Sequence, residues 1–90
     1  MVPLMGFAFT KAALKYLDTL PPKLRRQVTQ KARALHAEPH PVGSKKLHGE
    51  ETDDGEPIYR ERSGDYRILY LVRVDEVVVL DIDHRKDVYG

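Results

Sequence analysis

From Thr10 onward the apolar residues of this chain change their spacing once, close to Pro57, and that change governs what it can fold into. Ahead of Pro57 they recur three and four apart, the repeat of a helix; beyond it they alternate, the repeat of a strand. Lys11–Leu20 carries Ala13, Leu14, Leu17 and Leu20 as an apolar stripe behind Thr10, a good N-cap. Pro21-Pro22 ends that helix, and Pro22 suits the first turn of a second, Lys23–Ala37, where Leu24, Val28, Ala32 and Leu35 share one face. Pro39 and Pro41 forbid continuation. After Pro57 three strands are predicted: Ile58–Arg62, Tyr66–Val74 and Val77–Asp83, parted by Ser63-Gly64-Asp65 and Asp75-Glu76. Connections this short require antiparallel neighbours.

Gly6-Phe7-Ala8-Phe9 is a further strand candidate, and Met5 is an alternative start to Met1. His40–Pro57 reads mostly as loop, with Lys45–His48 at most a short extended piece. The order β-α-α-β-β-β defines an α+β fold, a helical hairpin packed on one face of a mainly antiparallel four-stranded sheet. No remaining segment covers the opposite face, which is left to solvent or to function.

Ninety residues form one domain, 1–90. The absence of cysteine excludes disulfides and thiolate zinc sites and fits a reducing compartment. No apolar run approaches the roughly 20 residues of a membrane helix. Met1–Phe9 also lacks the basic start of a signal peptide. These features place the chain in the cytoplasm, with no membrane partner. The net charge of +1 conceals a strong asymmetry. Residues 1–49 hold nine Lys/Arg and two acids, whereas residues 50–57 hold five acids and no base. A basic half suits an anionic partner, and the same charge also serves to solvate two helices.

Arg60 and Arg62, two apart, share a strand face, and Arg67 begins the next strand. His84, Arg85, Lys86 and Tyr89 follow the last strand. The planar fork of arginine binds phosphate bidentately, while His and Tyr handle protons or stack on bases. This set points to a polyanion site. The alternation Tyr59-Arg60-Glu61-Arg62 equally fits a solvent-facing strand with cross-strand ion pairs. His36 and His40 have helical spacing, but Pro39 parts them, so no metal site is read. Asp81 and Asp83 are read as structural or as partners of nearby arginines. There is no Gly-rich phosphate loop and no Ser-centred nucleophile motif, and no cofactor is expected.

Three segments together resemble the RelE/ParE toxin superfamily: Lys46-Leu47-His48-Gly49, Tyr59–Tyr70 with its Gly64-Asp65-Tyr66-Arg67 core, and Asp83-His84-Arg85-Lys86-Asp87-Val88-Tyr89. The resemblance covers roughly residues 6–89. It implies a RelE-like toxin of a type II toxin–antitoxin system. RelE-type members cut mRNA in the ribosomal A site, so the resemblance implies an endoribonuclease; the alternative it implies is a ParE-type toxin that inhibits DNA gyrase. By that resemblance Arg67 contacts the scissile phosphate, Arg60 supplies a second cation, and Tyr89 or His84 handles protons. Lys46, Arg62, Arg85, Lys86, Arg25 and Arg26 are the implied RNA- and ribosome-binding residues. Ile58 stands where some RelE toxins carry a further lysine. The implied partners are a cognate antitoxin that folds onto the toxin, the ribosome and mRNA, with operator DNA met only through the antitoxin.

Overall fold

A computed structural model describes residues 6–88, the side chains of His48, Asp87 and Val88 excepted. The choice between Met1 and Met5, and the position of Tyr89, lie outside the described residues. The elements are β1 (Gly6–Phe9), α1 (Lys11–Asp18), α2 (Pro22–Ala37), β2 (Lys45–Glu51), β3 (Pro57–Ser63), β4 (Tyr66–Val72) and β5 (Glu76–His84), closed by a 3-10 turn at Arg85–Val88. The fold is α+β: two helices on one face of a mostly antiparallel sheet. The sheet has five strands in the order β1-β5-β4-β3-β2, one more than the sequence led us to expect. Strand β1 is the parallel member, paired with β5.

The additional strand is β2, which pairs with β3 through Lys45–Arg60, Lys46–Tyr59 and Glu51–Pro57. Its sequence, Lys-Lys-Leu-His-Gly-Glu-Glu, has almost no apolar alternation. Charged residues on an edge strand discourage pairing with another chain, and the same charges hide the strand from a reading of hydrophobic period.

Thr10 begins α1 as expected. Its Oγ1 accepts the Ala13 backbone N–H at 3.2 Å, and its hydroxyl donates to the Leu80 carbonyl. The Thr10 backbone N–H donates to the Val79 carbonyl at 3.0 Å, so the helix start is fastened to β5 at two successive residues. At that point β5 carries a bulge: Leu69 pairs with Asp81 and Tyr70 with Val79, which leaves Leu80 as the extra residue. The bulge resets the pleat. Val77, Val79 and Ile82 all enter the core, while Asp81 and Asp83 face the other way.

The core lies between the helices and the sheet. Ala13, Leu17 and Leu20 of α1 and its C-terminal end, with Val28, Ala32 and Leu35 of α2, meet Ile68, Tyr70, Val77, Val79 and Ile82 of the sheet. Leu14 departs from the expected stripe: it is 48% exposed, one residue round the helix from Ala13. Among the described residues no helix is long and apolar enough to cross a membrane.

Tyr70 ties the α2–β2 connection to the sheet by donating its hydroxyl to the Pro39 carbonyl at 2.7 Å. Burial holds its phenol above the ordinary value of 10.0, and the negative charge of Glu61 adds to that. The unfolded chain therefore loses this proton first. Tyr70 contributes stability in full below about pH 10, and that contribution drains away as pH rises through the higher folded-state value. Urea unfolding between pH 8 and 11 should show falling midpoints. Tyr70→Phe should flatten part of that fall and lower stability at pH 8 by about 1 kcal/mol, since the Pro39 carbonyl loses its donor. An unchanged alkaline profile in Tyr70→Phe would contradict this assignment.

The two ends of the sheet carry opposite charge. At one end the β2–β3 loop and the β4–β5 turn are joined by Arg73, whose guanidinium reaches Glu56 at 2.9 Å and Glu76 at 2.7 Å. Arg73 holds the Glu56 carboxyl below its ordinary range. The β3–β4 turn and the end of β5 lie at the other end, and there the cations gather.

Candidate anion-binding site

The tight turn between β3 and β4 is built on Gly64, whose φ of 60° precedes an ordinary negative φ at Asp65. Glycine first in a two-residue connection suits a type II′ turn, whose twist matches the flanking strands. The register it sets pairs Ser63 with Tyr66 and Arg62 with Arg67. Side chains directly opposite share a face, so Arg62 and Arg67 stand side by side on the surface away from the helices.

Two rows cross that surface. One runs Arg62, Arg67, Asp83 through β3, β4 and β5; the next runs Lys45, Arg60, Leu69, Asp81 from β2 to β5. Cations thus occupy the β2–β3 side and acids the β5 side. Arg67 is fixed by a two-pronged ion pair, its Nε at 2.8 Å and Nη2 at 2.9 Å from the two Asp83 oxygens. Both partners are largely covered, with 19% and 24% of their side-chain surface exposed. Asp81 turns its Oδ1 to its own neighbour, accepting the Ile82 N–H at 2.8 Å beside the bulge.

Arg60, Arg62 and Arg67 join Arg85, Lys86 and the turn residues Gly64–Tyr66 around a cleft of about 420 Å³. Arg85 is drawn to the turn by its backbone N–H, which donates to the Asp65 carbonyl at 2.9 Å. Like charges directly opposite on a sheet are destabilising unless something neutralises them. Asp83 offsets one of the opposed pair, and the cleft retains a large positive excess. A doubly or multiply charged anion fits that excess, and the arginine forks match phosphate oxygens.

The sequence-predicted residues separate by face. Arg60, Arg62, Arg67, Arg85 and Lys86 come together. His84 does not join them: it pairs with Tyr66 on the helix side, with the two rings edge to face at 5.1 Å. Its Nδ1 accepts the Lys86 backbone N–H at 3.1 Å, so His84 caps the turn that presents Arg85 and Lys86 to the cleft. Its ring lines a second, smaller cleft of about 260 Å³ beside α2, on the far side of the turn. Lys46 pairs with Tyr59 and takes the helix-side face, while Lys45, which sequence reading passed over, pairs with Arg60 and takes the arginine face. Arg25 and Arg26 are exposed on α2, in the layer behind the sheet, and Arg25 donates to the Leu20 carbonyl at 3.2 Å. They form a second basic surface, apart from the cleft. Glu61 is no part of a solvent-facing alternation; it is 4% exposed.

Two helices on one face of a five-stranded sheet, with a cation-lined cleft on the other, define a small α+β protein. Residues 7–89 match the model of the ParE toxin of type II toxin–antitoxin systems, and the chain belongs to that family. It is 38% identical over 86 residues to Toxin RelG of Mycobacterium tuberculosis, a match covering 90% of this chain and 91% of that one. Among solved structures it is similar to the archaeal RelE–RelB complex of Pyrococcus horikoshii, with a TM-score of 0.74, 28% identity, and coverage of 91% of this chain and 96% of that one. The RelBE2 toxin–antitoxin complex of M. tuberculosis gives a TM-score of 0.72 at 32% identity, covering 93% of this chain and all of the other. The chain is a type II toxin of the RelE/ParE superfamily.

Proposed function

We propose that the toxin is a ribosome-dependent mRNA endonuclease, and that the cleft on the uncovered sheet face binds the scissile phosphate. The observation that carries this reading is the opposed Arg62–Arg67 pair, with Arg60 one row away and Asp83 orienting Arg67. In the reaction the 2′-oxygen attacks phosphorus, the bond from phosphorus to the 5′-oxygen breaks, and the proton of the 2′-hydroxyl is passed to the leaving oxygen. The products are a 2′,3′-cyclic phosphate and a 5′-hydroxyl. Charge builds on the phosphorane oxygens, and fixed cations aimed there are commonly the largest catalytic contribution. Arg67 and Arg60 fill that role, while Arg62, Arg85, Lys86 and Lys45 hold the flanking phosphates. Tyr89 follows the turn that ends the cleft wall and, by the family resemblance, supplies proton transfer or stacking. His84 acts through the turn it caps.

Arg25, Arg26, Lys23, Lys31 and Arg33 give α2 a basic outer surface suited to ribosomal RNA. The similarity to toxins solved with RelB antitoxins supports a cognate antitoxin as the restraining partner. The cytoplasm, where ribosomes and mRNA are met, is the compartment this reading requires. A second reading follows from the ParE description of the matching family model: a toxin that inhibits DNA gyrase without nuclease chemistry.

Purified toxin added to ribosomes programmed with a defined mRNA should yield cuts within the A-site codon bearing 5′-hydroxyl ends. Intact mRNA together with inhibited supercoiling by gyrase would replace this reading with the second. Ribosome binding should also be salt-sensitive: three neutralised phosphates imply roughly 40-fold weaker binding at 300 than at 50 mM salt. Equal affinity at both concentrations would rule out electrostatic docking.

A further inference from the structure

Among the described residues Glu61 is the charged side chain that is buried. It is 4% exposed and lies on the helix side of β3, between Arg60 and Arg62, which face the opposite way. Its Oε1 accepts the Arg62 backbone N–H at 2.9 Å, and its Oε2 accepts no hydrogen bond from the described residues. A buried carboxylate so sparsely satisfied is costly, and an apolar side chain of like volume would serve the core better.

The course of the strands explains why a carboxylate stands there. β2 begins at Lys45, opposite Arg60, and supplies no neighbour to the last residues of β3. Counting from the Gly64-Asp65 turn, Ser63 and Tyr66 exchange both ladder hydrogen bonds and Arg62 and Arg67 exchange none. The Arg62 N–H therefore points to the open edge of β3, where β2 is missing. The Glu61 carboxylate folds over that edge and supplies the acceptor that a neighbouring strand would otherwise provide. An inward-turned charge at a sheet edge also discourages pairing with a second chain.

We propose that Glu61 is a positioning residue of the anion cleft: by capping the open edge of β3 it holds the strand end from which Arg60 and Arg62 reach the polyanion. Its functional consequence rests on the reading of the cleft as an RNA-phosphate site; the cap itself does not. Cost to the core is exchanged for order at the site, the usual direction of a trade between stability and function.

Two variants of the full chain separate the possibilities. Glu61→Gln keeps an oxygen acceptor at the same reach, and Glu61→Leu keeps the volume without an acceptor. The measurements are hydrogen exchange at the Arg62 amide, affinity for a short 2′-O-methyl RNA, and the melting temperature. Wild type and Glu61→Gln should protect the Arg62 amide and bind the RNA equally within about twofold. In Glu61→Leu the amide should exchange at least about tenfold faster and RNA affinity should fall about tenfold. The melting temperature should hold or rise, because leucine relieves a buried charge. The proposal is overturned if Glu61→Leu keeps the amide protected, if it keeps full RNA affinity, or if affinity and melting temperature fall together. Should the wild type bind no RNA away from the ribosome, the cap is decided by the Arg62 amide alone: exposed in Glu61→Leu it stands, protected it falls, while the proposed function is decided separately by cleavage on programmed ribosomes.

Discussion

Arg67→Ala should lower the rate of mRNA cleavage by about 10²–10³-fold, the loss of roughly 3–4 kcal/mol of transition-state stabilisation. Arg67 stands on β4 in the middle of its row, between Arg62 and Asp83, with its guanidinium plane set by both Asp83 oxygens. An alanine there removes the fixed charge and leaves a partly covered Asp83 without its partner, turning an attractive wall into a repulsive one for phosphate. Stability should suffer far less, by about 1 kcal/mol, because neither member of the pair is fully enclosed. Arg67→Lys is the informative companion: it restores the charge but cannot reproduce the two-pronged contact, so it should recover part of the rate. Steady-state cleavage on programmed ribosomes, with unfolding midpoints measured alongside, checks both halves. Full cleavage by Arg67→Ala would remove the arginine face from the mechanism.

The largest effect on folding is expected at Ile68. Its side chain has no exposed surface and sits at the centre of the sheet, with Ile82 beside it and Glu61 on its other flank. Ile68→Ala removes buried methyl groups and leaves a cavity between two ordered layers, at a cost of about 3–5 kcal/mol. A domain of this size has about 5–13 kcal/mol of stability in all, so the variant should be close to unfolding at 37 °C. Leu14→Ala is the control. Leu14 is 48% exposed, and its loss should change stability by no more than about 0.5 kcal/mol. Equal shifts from the two substitutions in urea unfolding would contradict the assignment of the core.

Much of this architecture is legible in the residues, for physical reasons that can be named. Two prolines part the helices, Thr10 caps the first, and Ser63-Gly64-Asp65 marks the β3–β4 turn, although Ser63 closes β3 and so sets Arg62 opposite Arg67. What escaped the sequence escaped for reasons equally specific. β2 is written in charges because it is an edge, so its period is silent. Neighbouring strand residues take opposite faces, so Lys46, named by the family resemblance, stands on the helix side while Lys45 stands beside Arg60, a placement that a motif match does not reveal. The bulge at Leu80 depends on Thr10, seventy residues earlier, whose backbone and hydroxyl engage the carbonyls of Val79 and Leu80. It sends Asp83 to Arg67 and His84 to Tyr66 on opposite sides of the sheet. Glu61 looks like one more charge in a polar strand until the missing stretch of β2 gives it an edge to cap.

The central claim is that the arginine face cuts translated mRNA. Transcriptome-wide mapping of 5′ ends after brief induction, with wild type and Arg67→Ala expressed at equal levels, tests it most directly. The wild type should produce new 5′-hydroxyl ends phased with codons inside translated frames, and Arg67→Ala should produce few or none. Intact mRNA with an SOS response in the wild type, or identical cut patterns from both proteins, would contradict it.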